Sequence, residues 1–127
     1  PKPDLIVSSV TVVASSYTVG DDIQATATIK NQGQKSAINS KLKYYLGTSS
    51  NKIYKYIEEG GVGSLSVNTS AMDDINWNVW SWSYWIIPSD VPAGTYQIWV
   101  KADSSFDVSE SDENNNWKSS SSFTITK

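Results

Sequence analysis

Polar and apolar residues alternate with a period of two over much of this 127-residue chain, the mark of strands with one buried and one wet face. The pattern is clearest over residues 23–30. Ile23, Ala25, Ala27 and Ile29 point one way there, and Gln24, Thr26, Thr28 and Lys30 the other. It recurs over residues 41–46, with Leu42, Tyr44 and Leu46 inward and Lys41, Lys43 and Tyr45 outward. Over residues 95–102 it sets Tyr96, Ile98 and Val100 against Gln97, Trp99 and Lys101. Residues 4–13 are β-branched and apolar, as befits a strand half-buried at the edge of a sheet. Residues 52–59 suit either one helical turn through Ile53, Tyr56 and Ile57 or a strand; we read a strand, cut short by Gly60 and Gly61. A short strand over residues 62–67, a polar connection over residues 68–74 and a last strand over residues 123–126 complete the series.

Turn chemistry separates these segments. Residues 17–22 read as a turn, in which Gly20, Asp21 and Asp22 supply positive-φ and side-chain-to-backbone options. Asn31 to Gln34 closes the strand before it, and Pro88, Pro92 and Gly94 mark a corner. About seven short strands and no convincing helix predict an all-β fold: an immunoglobulin-like β-sandwich of antiparallel strands in two sheets, forming one domain over residues 1–127. Tyr96, opening the penultimate strand after that corner, is placed to be a tyrosine corner.

One strand breaks the pattern. Four of the six tryptophans fall within residues 77–85, so Trp80, Trp82 and Tyr84 share one face while Trp77, Val79 and Trp85 share the other. Either both faces are covered, or one row of rings meets water. Contiguous exposed apolar surface usually marks an interaction site.

Composition removes most chemistry. The chain has no Cys, His or Arg, which excludes thiol chemistry, zinc held by Cys or His, and Ser-His-Asp or Cys-His nucleophiles. A net charge of −3 without arginine is not the footprint of a nucleic-acid binder. No apolar run is long enough to span a membrane. Abundant Ser, Thr and Asn with sparse charge point to an extracellular or cell-surface setting.

Several motifs then converge. Residues 4–7 (Asp-Leu-Ile-Val), Val19-Gly20-Asp21, and Ile29-Lys30-Asn31-Gln32-Gly33 resemble the CARDB domain, a "cell adhesion related domain found in bacteria". So do Ile87-Pro88, Pro92-Ala93-Gly94-Thr95-Tyr96, and Asp103 followed by the acidic and Asn-rich residues 108–116. The resemblance covers most of the chain in order. It implies a seven-stranded sandwich that serves as a module of large secreted or surface proteins, and sometimes of polysaccharide-degrading enzymes. It implies no single ligand. The tryptophans of residues 75–85 depart from it, standing where an ordinary Ser/Thr-rich strand is expected.

With Ile87 and Tyr96 taken as core residues, counting back in twos puts Trp85, Val79 and Trp77 inside and Ile86, Tyr84, Trp82 and Trp80 outside; a β-bulge would invert the upstream part. Rings two residues apart along a strand are about 6.6 Å apart, so Trp80 to Tyr84 would span roughly 13 Å. Such a platform stacks on successive sugar rings of a polysaccharide such as cellulose, another β-glucan or chitin. Trp77 or Trp85 joins it if the register differs. The alternatives are cover by a neighbouring domain, which makes the chain a structural or adhesive spacer, and ordinary core. Tyr45 and Trp99 also project outward, and scattered surface aromatics are the plainer account of them. Asp103, Asp107, Glu110, Asp112 and Glu113 put five carboxylates into eleven residues, a set of hard oxygen ligands suited to structural Ca²⁺; turn capping and solvation are the plainer reading. Glycoside hydrolysis needs two carboxyls facing each other across a cleft, which one wet hairpin does not supply. The expectation is a non-catalytic, monomeric carbohydrate-binding module, with a polysaccharide and the neighbouring domains of a larger secreted protein as its partners.

Overall fold

The computed structural model describes residues 2–49, 52–74, 86–103 and 116–127. Every regular element among them is a strand: β1 (Leu5–Val12), β2 (Ser16–Thr18), β3 (Ala25–Asn31), β4 (Ser40–Ser49), β5 (Lys52–Val62), β6 (Ser70–Asp74), β7 (Gly94–Ala102), β8 (Trp117–Ser119) and β9 (Phe123–Thr126). They form two sheets. One has the order β1-β3-β6; the other runs β2-β9-β7-β4-β5, with β8 also paired to β7 beyond the end of β9.

The predicted alternation holds where it was strict. Ala25, Ala27 and Ile29 of β3, Leu42, Tyr44 and Leu46 of β4, and Tyr96, Ile98 and Val100 of β7 are all buried and meet in one core. Residues 4–13 supply β1, an edge strand as expected. The chain then changes sheet: after Val12 it leaves β3, and β2 pairs in parallel with β9. Tyr17 thereby enters the core edge-on to Phe123, with ring centroids 5.3 Å apart. Gly20, at φ 94°, makes the turn that follows.

Four expectations fail. Tyr17 and Thr18 are strand rather than turn, because in β2 they pair with Ile125 and Thr126. Gly60 and Gly61 do not end β5, because they pair with Leu42 and Lys41 and β4 carries them. Residues 62–67 form no strand beyond the end of β5; Leu65 makes a single bridge with Ala37. Residues 68–74 are not merely a connection, since β6 lies there, pairing Ser70 to Asp74 along the open edge of β3.

Asn31 explains why its motif has the residues it has. Its side chain is fully buried, and its Oδ1 accepts from the Asp4 and Gly33 backbone N–H groups at 3.1 and 3.0 Å. Its Nδ2 donates to the carbonyls of Lys35 and Leu65 at 2.8 and 3.1 Å. One amide thus ties the start of β1, the turn after β3 and the residue 65 bridge together. Gly33 lies so close to this junction that a Cβ there would collide with the backbone of Lys2, Pro3 and Asp4.

Candidate functional site

The platform residues Trp77, Trp80, Trp82, Tyr84 and Trp85 lie outside the described residues. The residues that set their expected parity do not. Ile87 is 1% exposed and Ile86 54% exposed, so the chain leaves this stretch with the inward and outward positions assigned from the sequence. Two backbone bonds fix that exit: Gly20 N–H donates to the Ile87 carbonyl at 3.0 Å and Ile87 N–H to the Asp21 carbonyl at 2.9 Å. Tyr96 is buried, and its hydroxyl donates to the Pro92 carbonyl at 2.7 Å, the tyrosine corner read from the sequence.

Of the five carboxylates proposed to hold metal, Asp107, Glu110, Asp112 and Glu113 also lie outside the described residues. Asp103 is 2% exposed and sits at φ 48°, a left-handed conformation that Asp tolerates. It stands at the mouth of the segment, where Ala102 N–H donates to the Asn116 carbonyl at 2.9 Å and Asn116 Nδ2 donates back to the Ala102 carbonyl at 3.2 Å. Among the described residues no three Asp or Glu gather into a metal-sized group.

The outer face of the larger sheet carries a cluster that sequence reasoning saw only in part. Tyr45 and Trp99 are cross-strand partners on β4 and β7, as their parity requires. Tyr56 and Trp117 join them. The rings of Tyr45 and Tyr56 lie 5.8 Å apart at 60°, and those of Tyr45 and Trp117 lie 5.4 Å apart at 38°. Trp99 is half-buried, its indole nitrogen covered. Tyr56 was missed because β5 carries a bulge. Tyr44 faces Glu58 but Tyr45 faces Tyr56, so Ile57 turns into the core and the parity of β5 is shifted. Trp117 sits on a three-residue strand behind an acidic run, where no period can be read.

Charge surrounds these rings. Lys43 Nζ lies 5.8 Å from the Tyr56 ring centroid and Lys101 Nζ 5.6 Å from that of Trp117, both near the outer limit for a cation–π contact. Lys41 and Lys43 reach Glu59 at 3.6 and 4.0 Å. Burial, and after it the Glu59 carboxylate, pushes the Tyr45 and Tyr56 hydroxyls above the ordinary value of 10.0, so both are neutral hydrogen-bond donors at physiological pH.

The sequence profile of the CARDB family matches residues 2–120. This chain belongs to the CARDB family. A CARDB domain from Pyrococcus furiosus, solved in complex with di-metal ions, is 21% identical, with a TM-score of 0.67 over 98% of this chain and 94% of that one. A Methanosarcina acetivorans domain assigned to a cell surface protein is 22% identical, with a TM-score of 0.64 over 100% and 95% of the two chains. A β-glucosidase from Erythrobacter marinus matches 98% of this chain at 11% identity and a TM-score of 0.59, yet only 16% of that enzyme is covered, so the likeness is to a part of it and is one of fold. Comparison with curated proteins gives no match. CARDB is a family of non-catalytic, immunoglobulin-like domains associated with the cell surface, found as modules of larger proteins.

Proposed function

We propose that this CARDB domain is a carbohydrate-binding module of a secreted or surface protein, with Trp80, Trp82 and Tyr84 as its platform and Trp77 or Trp85 at its margin. The observation that carries the reading is the parity at the end of the tryptophan stretch, Ile86 outward and Ile87 inward. Strand alternation, were it to continue upstream from Ile86, would bring Tyr84, Trp82 and Trp80 to the solvent face. Aromatic rings displayed in a row bury large area at low side-chain entropy cost, which suits the C–H faces of a β-linked glucan or chitin. Asp103, Asp107, Glu110, Asp112 and Glu113 would hold Ca²⁺ that stiffens their hairpin rather than touching sugar.

The test is a pull-down of the domain on microcrystalline cellulose, chitin and soluble glucans, wild type against Trp80→Ala/Trp82→Ala, with and without EDTA. Binding lost in the double variant is the expected result, and a lower Tm in EDTA is expected of the calcium site. A wild-type domain that binds no glycan on the panel, and self-associates through its tryptophans, would instead be a structural or adhesive spacer.

A further inference from the structure

The first and last strands leave the sandwich at opposite ends. β1 runs from the Asn31 end of β3 to its Ala25 end. β2 finishes at that same Ala25 end, since the turn after it bonds to Ile87 and Asp22 bridges Ile86 just before β3 begins. β9 runs parallel to β2 and finishes beside that turn, where Val19 N–H donates to the Thr126 carbonyl at 2.9 Å. Lys2 lies at the Asn31 end, its carbonyl accepting from the Gln34 N–H at 2.9 Å. The seven residues of β3 separate the two exits by roughly 20 Å. Pulling the exits apart therefore draws the opening segment, β1 followed by β2, and the closing strand β9 along their own axes in opposite directions.

These two segments are bonded directly to each other. Ser16, Tyr17 and Thr18 pair with Thr124, Ile125 and Thr126. Thr124 N–H donates to the Ser15 carbonyl at 3.1 Å, closing one end of the ladder as Val19 closes the other. Hydroxyls add to it: Thr18 and Thr126 Oγ1 lie 3.3 Å apart, and Thr126 Oγ1 donates to the Tyr17 carbonyl at 3.4 Å. Ladder bonds run from strand to strand, so a pull along the strands loads them all together, whereas a pull across them loads one at a time. The core opposes sliding as well. Tyr17 packs edge-on against Phe123, and Phe123 and Ile125 are each 1% exposed. A slip of β9 by one residue turns both of these side chains to the wrong face, and a slip by two sets Ser121 in the space that Phe123 fills. Behind β2, β1 is paired with β3 along its length and tied at its start by the Asn31 amide.

We propose that this domain is a load-bearing element, in which β2 and β9 form a shear clamp that keeps the sandwich closed under tension in the larger protein it belongs to. The clamp uses none of the tryptophans of residues 77–85, so it holds whether or not their platform binds a glycan.

The test is single-molecule force spectroscopy of the whole chain, pulled in two geometries. The first draws its two ends apart through handle domains fused to both. The second uses Lys41→Cys/Gly61→Cys, whose thiols are unique attachment points because the chain has no cysteine of its own. These positions are cross-strand partners on β4 and β5, and a Cβ at Gly61 meets open space, so pulling them apart unzips β5 from the edge of its sheet. End-to-end unfolding at no less than about twice the unzipping force is the expected result. Val19→Pro then locates the resistance. Val19 and Gly20, the latter at φ 94°, are the central residues of a turn closed by the Asp21 N–H on the Thr18 carbonyl at 2.9 Å, and proline suits the first of them. The variant keeps the turn and loses the donor to Thr126. With one bond of a short ladder gone, it should unfold end-to-end at a force lower by about a quarter. Its urea midpoint should stay near that of wild type and its unzipping force should be unchanged. Thr126→Val deletes both hydroxyl contacts, keeps the branched shape, and should lower the end-to-end force by a smaller step. Equal forces in the two geometries, or an end-to-end force that neither substitution changes, would overturn the proposal. So would a fall in the unzipping force of Val19→Pro equal to its end-to-end fall, because the loss would then be one of general stability.

Discussion

Asn31→Ala is the substitution whose cost the structure fixes most directly. Four hydrogen bonds of 2.8 to 3.1 Å converge on this one amide, which is fully buried between β1, the turn after β3 and Leu65. A net value of about 1 kcal/mol for each bond gives about 4 kcal/mol in all. The Asp4 N–H loses this acceptor in buried surroundings, which pushes the cost up, while the Leu65 carbonyl keeps its 2.8 Å bond from the Ala37 N–H and water can reach Gly33 and Lys35, which brings it down. Against a domain stability of roughly 5–15 kcal/mol this is a large fraction. It corresponds to a fall in Tm of about 15 °C for a chain of this length. The assay is urea unfolding followed by tryptophan fluorescence, with the m-value compared to wild type so that a change in stability is told apart from a change in the unfolded state. Asn31→Asp should rescue little. It keeps both acceptor bonds but turns an oxygen toward the Lys35 and Leu65 carbonyls. A loss below about 1 kcal/mol for Asn31→Ala would refute the view that this amide holds the three chain segments together.

Two further substitutions probe the corners of the sandwich. Tyr96→Phe removes the 2.7 Å bond to the Pro92 carbonyl while keeping the ring against Tyr54, so thermal unfolding should show a loss of about 1 kcal/mol and about 4 °C; an unchanged Tm would mean that the corner does not stabilise the fold. Lys55→Met removes the 2.9 Å bond to Asp90. That bond is the main reason the Asp90 carboxyl titrates below its ordinary 3.8, so NMR titration of the variant should find it moved upward. Because the folded value is depressed, the pair contributes stability above the ordinary carboxylate value and loses it as pH falls through the lowered one. Lys55→Met should therefore be less stable than wild type at neutral pH and converge with it in acid; the pair is exposed, so the gap will be small.

Strict alternation alone determined β3, β4 and β7, because a period of two with one apolar face admits a single inward side, and that side carries Leu42, Tyr44, Ile98 and Val100 into the core. The Pro92-to-Tyr96 corner and the parity of Ile86 and Ile87 were equally local, since proline, glycine and one large apolar residue fix the backbone there. What failed was decided by partners distant in sequence. Ser-Ala-Met-Asp-Asp carries no strand pattern, and β6 exists because the open edge of β3 offers hydrogen bonds that residues 70–74 accept. Gly60 and Gly61 remain in β5 for the same reason, supplied by β4. The bulge that turned Tyr56 outward, and the three residues that bring Trp117 to within 5.4 Å of Tyr45, leave no trace in a single-strand period. A sequence states which side of its own strand a ring occupies. Only the register between strands, set by cross-strand hydrogen bonds and the twist of the sheet, decides which rings meet.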